Sequence, residues 1–157
     1  MKIAVSGHRG LASDVEQLVG QAIRDQLGQF RADLTGYSCL ADGADQIFAR
    51  AILDLGGRLD VMIPARTYRD SLPTHAHRGY DELVERATAI HRLDHEESTP
   101  ESHMSASIEM LKHAEHLFAV WDGRPARSYG GTADVVSHAY SIGLPVTVIW
   151  PPGARRD

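Results

Sequence analysis

Short apolar runs alternate along the chain with amphipathic stretches, and the alternation predicts six strands with helices between them. Lys2-Ile3-Ala4-Val5-Ser6 is a β-rich run that stops at Gly7-His8-Arg9-Gly10. Ser13-Asp14 then offers an N-cap before Val15, Leu18, Val19, Ala22, Ile23 and Leu27, whose spacing of three and four places them on one helix face. The pattern recurs: Asp33 to Ser38 reads as a second strand, Leu40 to Gly43 as a turn, and Ala44 to Leu55 as a helix ended by Gly56-Gly57. Arg58 to Ile63 is a third strand, closed by Pro64. Ala65 to His77 reads as a long loop, Tyr80 to Ala87 as a helix, and Ala89 to Leu93 as an additional, shorter strand. His95 to Pro100, polar and acidic, reads as a mobile loop over one end of the sheet. A helix opening at Ser102 or Ser105 runs to about His113, and His116 to Trp121 is a strongly apolar strand ending in Asp122-Gly123. After a loop over Arg124 to Tyr129, Gly130-Gly131-Thr132 opens a helix through Ser141, and Pro145 to Trp150 is the last strand.

Strands separated by helices of about 10–15 residues indicate crossover units. The predicted class is therefore α/β: a Rossmann-like three-layer sandwich whose mainly parallel sheet is flanked by helices. With 157 residues, 43% apolar and 24% charged, the chain has ordinary globular composition and fits one domain with a real core. We place that domain at residues 1–153, with Pro151-Pro152-Gly153 ending the ordered structure and 154–157 as a disordered tail. The formal charge of −5 offers no general attraction for nucleic acid, and no strip of basic and aromatic residues is visible, so both argue against nucleic acid as a partner. No apolar run approaches the roughly 20 residues needed to cross a bilayer, and the opening residues are too short to be a secretory signal. Cys39 stands alone, which excludes an intrachain disulfide, and the expected location is the cytoplasm.

In an open parallel sheet, ligands sit outside the carboxyl ends of the strands, where the strand order reverses. Four segments fall at such ends: Ser6 to Gly10, Cys39 to Asp45, Pro64 to Tyr68, and Asp122 to Thr132. They are expected to share one cleft. In Gly130-Gly131-Thr132-Ala133-Asp134, two glycines leave backbone N–H groups uncovered at a helix start, where the dipole favours an anion, and Thr132 can add a hydroxyl donor. The same residues equally describe a tight loop with Thr132 or Ser128 as a cap. In Gly7-His8-Arg9-Gly10, Arg9 can pair with a phosphate through its planar fork, and His8 can bond a base or a sugar hydroxyl. Neither Gly-x-Gly-x-x-Gly nor Walker A is present, so an ordinary NAD fingerprint and a P-loop are unsupported. Asp45 falls in the first turn of a helix, where it can cap the backbone. Alternatively Gly43 and Ala44 expose donors to a ligand while Asp42 or Asp45 receives a ribose hydroxyl. The nine histidines show no compact ligand spacing, so no metal site is assigned.

Taken in order, these turns resemble the SLOG superfamily, the Rossmann-like group that includes DprA (Smf) proteins, LOG phosphoribohydrolases and nucleotide-derivative sensors. The resemblance rests on Val5-Ser6-Gly7-His8-Arg9, Gly43-Ala44-Asp45, Ala119-Val120-Trp121-Asp122-Gly123, and Gly130-Gly131-Thr132-Ala133-Asp134, and it spans nearly the whole chain. It implies a nucleotide or nucleotide derivative as the ligand at the strand ends, held by Gly7, His8, Arg9, Gly43, Ala44, Asp45, Asp122, Gly123, Gly130, Gly131 and Thr132. It also implies dimers or larger homo-oligomers. LOG enzymes cleave the N-glycosidic bond of nucleoside monophosphates with an Arg in Met-x-x-Arg and a Glu in Gly-Gly-x-Gly-Thr-x-x-Glu. The matching positions here are Ser107 and Val135, so both catalytic side chains are missing. Cleaving that bond develops positive charge on the ribose and needs a carboxylate against it or against the attacking water. The remaining candidates for such a hydrolase are Asp122, Asp134 and Glu109. The leading expectation is a domain that binds or senses a nucleotide, with hydrolysis of nucleotides or of NAD and ADP-ribose derivatives as the alternative.

Overall fold

The computed structural model describes residues 1–30 and 33–156. Six strands, β1 (Lys2–Gly7), β2 (Thr35–Ser38), β3 (Arg58–Ile63), β4 (Ala89–Arg92), β5 (His116–Val120) and β6 (Val146–Ile149), form one sheet in the order β4-β3-β2-β1-β5-β6. Every pairing is parallel, with Ile3 opposite Gly36 on one side and His116 on the other. The helices are α1 (Ser13–Leu27), α2 (Ala44–Asp54), α3 (Tyr68–Ser71), α4 (Thr74–Arg86), α5 (Pro100–His113) and α6 (Thr132–Ser141). The expected three-layer α/β sandwich is thus present.

The layers follow from the two periodicities. Along β1, Ile3 and Val5 face one side and Ala4 the other. Ile3 and Val5 join Val15, Val19 and Ile23 of α1 and Phe48 and Ile52 of α2 in a core completed by Phe118. Ala4 instead packs with Met104, Met110 and Leu111 of α5 and Val135, Val136 and Ala139 of α6. Met104 and Met110 therefore belong to the core. A third cluster seats Tyr80 and Leu83 of α4 on Leu59 and Val61 of β3, on the same face as α2. Phe48 and Phe118 are fully buried and contribute about 2–3 kcal/mol each by leaving water.

Two helices begin earlier than the pattern predicts. The loop expected over 65–77 contains α3, and α4 starts at Thr74, directly after Pro73. Ala76 extends the buried stripe of Tyr80 and Leu83 by one turn, and the surrounding histidines hide that periodicity in the sequence. Helix α5 starts at Pro100, not at Ser102 or Ser105. Thr99 accepts from the Ser102 N–H while the Ser102 hydroxyl accepts from the Thr99 N–H, and proline at the first helical position has no N–H to waste. The segment from His95 to Ser98 is hydrogen-bonded to the turn that follows β3: the Arg66 and Thr67 N–H groups donate to the carbonyls of His95 and Glu96, and the Ser98 N–H donates to Thr67 Oγ1. Past Gly153, Ala154 packs on the first core and Arg155 forms a bidentate pair with Asp14 of α1 at 2.7 and 3.0 Å. No helix among the described residues is long and apolar enough to cross a membrane.

Candidate functional site

The first three crossovers leave β1 in one direction and the fourth returns to its other side, so strand order reverses between β1 and β5. A cleft of about 580 Å³ opens there at the carboxyl ends of the strands. All four strand-end segments contribute to its wall, and Gly7, His8, Arg9, Asp45, Gly130, Gly131 and Thr132 line it. Gly43, Ala44, Asp122 and Gly123 do not line it.

Gly43 and Ala44 hold the turns together. With φ at +83°, Gly43 is in a conformation that L-residues rarely adopt, and a Cβ there would lie 2.6 Å from the His8 carbonyl oxygen. The Ala44 N–H donates to that same oxygen at 3.3 Å. Behind them, Gly7 packs so closely that a Cβ would collide with those of Ala44 and Val120. The β1 turn and the start of α2 are therefore one interlocked backbone unit. Across it, Asp42 accepts from Arg9 Nε and from the Gly10 N–H, both at 2.9 Å, which uses one lone pair on each carboxylate oxygen. Arg9 lines the cleft with its side chain 44% exposed.

Asp45 lies deeper, buried beside Tyr68, and accepts from the Ala41 N–H at 3.2 Å. Burial pushes its carboxyl up to about 7, against the opposing pull of the Ala41 N–H and Arg9. His8 is also buried, edge-on to Trp150 at 5.4 Å between ring centroids. Burial, and next Arg156, lower its pKa, so the imidazole is neutral at pH 7. Its Nε2 accepts from the Asp122 N–H at 3.0 Å and lies 3.2 Å from Asp122 Oδ1, where it can donate only if that nitrogen carries a proton. His8 is thus tied into the protein rather than presented freely to a base or sugar.

At the start of α6 the donors differ from those expected. The Gly130 N–H is taken by Asp134 Oδ2 at 2.9 Å and the Gly131 N–H by the Ser128 carbonyl at 3.2 Å. The N–H groups of Thr132 and Ala133 make no hydrogen bond among the described residues, and neither does the Thr132 hydroxyl, although Thr132 is only 6% exposed. These three donors are what the helix start offers to the cleft. The two glycines shape it: Gly130, at φ +86°, passes within 2.9 Å of the Pro100 carbonyl measured from where a Cβ would stand.

None of the three carboxylates considered for hydrolysis faces the cleft. Asp134 is engaged as a cap on Gly130. Asp122, its side chain 10% exposed, accepts from the Arg124 N–H at 3.0 Å. Burial alone would raise its pKa, but that N–H, His8 and Arg156 together outweigh the effect and hold it below the usual range. Glu109 is on the exposed side of α5 with Lys112 at 3.1 Å and His113 at 3.7 Å. Ser107 does line the cleft, while Val135 is sealed in the core. Among the described residues, no group of three or more His, Cys, Asp or Glu side chains is placed to hold a metal ion.

Sequence reasoning missed much of one wall. His103 and Met110 of α5 face the cleft, as do Arg124 and Arg127 of the loop after β5 and Arg155 and Arg156 beyond β6. With Arg9, five arginines surround a cleft that holds only two carboxylates, Asp42 and Asp45, in a chain whose net charge is −5. No local spacing rule links these arginines. The one local signal, the adjacency of Arg155 and Arg156 after a Pro-Pro-Gly turn, falls in the segment read as a disordered tail.

The sheet order and the cleft at its switch point define a Rossmann-like domain. Among solved structures, the chain is similar to DNA processing protein A (DprA) from Streptococcus pneumoniae, with a TM-score of 0.68 and 20% identity over 97% of this chain and 51% of that one. It is also similar to DprA from Helicobacter pylori, described for its single-stranded DNA binding mode, with a TM-score of 0.70 and 15% identity over 98% and 67% of the two chains. A third likeness is to the Moco carrier protein of Chlamydomonas reinhardtii, with a TM-score of 0.57 and 18% identity over 94% and 75%. The chain thus spans about half the length of the Streptococcus pneumoniae protein. No protein-family model matches the sequence, and no curated protein matches it either. The likeness to a DNA-binding protein corrects the expectation that nucleic acid is an unlikely partner. That expectation rested on net charge and local sequence, whereas the tertiary fold gathers five arginines into a cleft with only two carboxylates.

Proposed function

We propose that this domain binds a phosphorylated nucleotide or a derivative of one, with a phosphate on the first turn of α6. The observation that carries this reading is Thr132, a nearly buried residue whose hydroxyl and N–H, with the Ala133 N–H, lack any partner among the described residues and face the cleft. A phosphate oxygen satisfies such a set, and the helix dipole adds to the attraction. The rest of the ligand extends past Gly7 and Arg9 toward Tyr68, His103 and Met110. Hydrolysis is not part of this reading, because Asp122, Asp134 and Glu109 are each committed to other partners.

The test is a thermal-shift screen against mononucleotides, cyclic nucleotides, dinucleotides and ADP-ribose, followed by calorimetry. A ligand at 100 times its dissociation constant stabilises by about 2.7 kcal/mol. The expected result is a shift with one phosphorylated class that Thr132→Val weakens by roughly 10- to 100-fold, the worth of one charged hydrogen bond. Binding that is unchanged in Thr132→Val and Arg9→Ala would place the ligand elsewhere.

A second reading, single-stranded nucleic acid along the same cleft, is favoured by the five arginines of the wall and by the likeness to DprA. Retardation of a labelled oligonucleotide at low salt, lost in Arg9→Ala, supports it. Unchanged mobility at high protein concentration refutes it.

A further inference from the structure

The side chain of Arg156 is only 20% exposed, yet its guanidinium makes no hydrogen bond among the described residues. Its ion pair with Asp122 Oδ2 spans 3.8 Å, beyond hydrogen-bond reach. A guanidinium presents five donors in a rigid fork suited to carboxylate or phosphate, and those of Arg156 are open to an anion entering the cleft. The two residues before it are anchored. Ala154 is packed on the core and its N–H donates to the Pro151 carbonyl at 3.0 Å, while Arg155 is clamped to Asp14. Arg124 reaches the same wall from the loop after β5 and makes no ion pair among the described residues. The cationic character of this wall extends inward, since Arg156 and Arg127 both lower the pKa of His8, behind the effect of burial.

We propose that Arg124 and Arg156 form a second anion subsite in the cleft, so that the ligand carries two phosphates in tandem, as in a nucleoside diphosphate or its derivatives. The first phosphate lies on Thr132 and Ala133, and the second takes the donors of the two guanidinium groups. This inference rests on the reading that the start of α6 holds a phosphate. A single phosphate would satisfy the helix start and leave Arg156 with only the distant Asp122 carboxylate, at 3.8 Å.

Orthophosphate and pyrophosphate, titrated into the full chain in magnesium-free buffer and read by thermal shift, probe the subsite without regard to the base; AMP and ADP repeat the comparison with a base attached. Pyrophosphate and ADP are expected to bind at least tenfold more tightly than orthophosphate and AMP. Arg124→Gln with Arg156→Gln should remove that preference while leaving orthophosphate and AMP within about threefold. Arg124→Gln alone, at an exposed position, should remove part of it and guards against a folding defect in the double variant. Equal affinity for one and two phosphates, or a double variant that weakens both alike, overturns the subsite while leaving the phosphate at α6 intact. Loss of all binding to the single-phosphate probes, or binding indifferent to Thr132→Val, refutes the underlying reading and the subsite with it. An oligonucleotide that binds far more tightly than ADP and depends on both arginines overturns the diphosphate in favour of a strand.

Discussion

Replacing Asp45 with Asn removes a charge from the floor of the cleft while keeping an oxygen for the Ala41 N–H. In the folded protein, burial raises this carboxyl from 3.8 to about 7. The folded state therefore holds a proton on Asp45 that the unfolded chain releases at any pH between those values. Stability from this group is fully present below about pH 3.8, declines as pH rises, and is lost once pH passes about 7. A difference of about 3 pKa units corresponds to about 4 kcal/mol. Asn carries no charge at any pH, so Asp45→Asn should gain on the wild type by about 1.4 kcal/mol per pH unit across this window and stay level above it. Urea unfolding of both proteins at half-unit steps from pH 4 to 8.5 measures the difference directly, and other titrating groups cancel in the subtraction. Parallel stability curves would refute the reasoning, since they would mean that Asp45 has the same affinity for protons folded and unfolded.

Gly43→Ala should cost about 2–4 kcal/mol, because φ of +83° is strained for alanine and its Cβ has only 2.6 Å to the rigid His8 carbonyl; urea unfolding reads it, and a loss under 1 kcal/mol would count against the interlocked turns. Asp134→Ala removes the acceptor of the Gly130 N–H and should lower stability by about 1 kcal/mol while leaving the Thr132 donors in place. Glu109→Gln should leave ligand affinity unchanged by calorimetry, since its carboxylate meets only Lys112 and His113 on the outer side of α5. Whatever anion the cleft takes, affinity should fall steeply between 50 and 200 mM salt, and a flat salt dependence would mean that the arginine wall takes no part.

Much of the architecture was legible because it follows from local periodicity. The stripe of Val15, Val19, Ile23 and Leu27 and the apolar run from His116 to Val120 each announce their element without reference to the rest of the chain. The start of α4 was not legible, because Thr74, His75 and His77 contribute nothing apolar and only Ala76 marks the buried face. The site was legible as a place and much less so as a set of contacts. Gly130 and Gly131 marked the helix start correctly, yet their N–H groups are consumed by Asp134 and Ser128, and the open donors fall one and two residues later. Which donor a neighbouring carboxylate captures depends on ångström-scale side-chain placement, which residue types alone do not specify.

The sequence by itself determined that strands and helices alternate and that the glycine turns at the ends of β1 and β5 open on one cleft. Parallel strands joined by crossovers must bring their carboxyl ends to the same edge of the sheet. Only the tertiary structure decided the sign of charge in that cleft and the employment of its polar groups. His8 meets Asp122 across 114 residues, Arg9 meets Asp42 across 33, and Arg156, from beyond the last strand, lines the same cleft as Arg124. Electrostatic interaction depends on distance through space, and folding makes neighbours of charges that no local pattern relates.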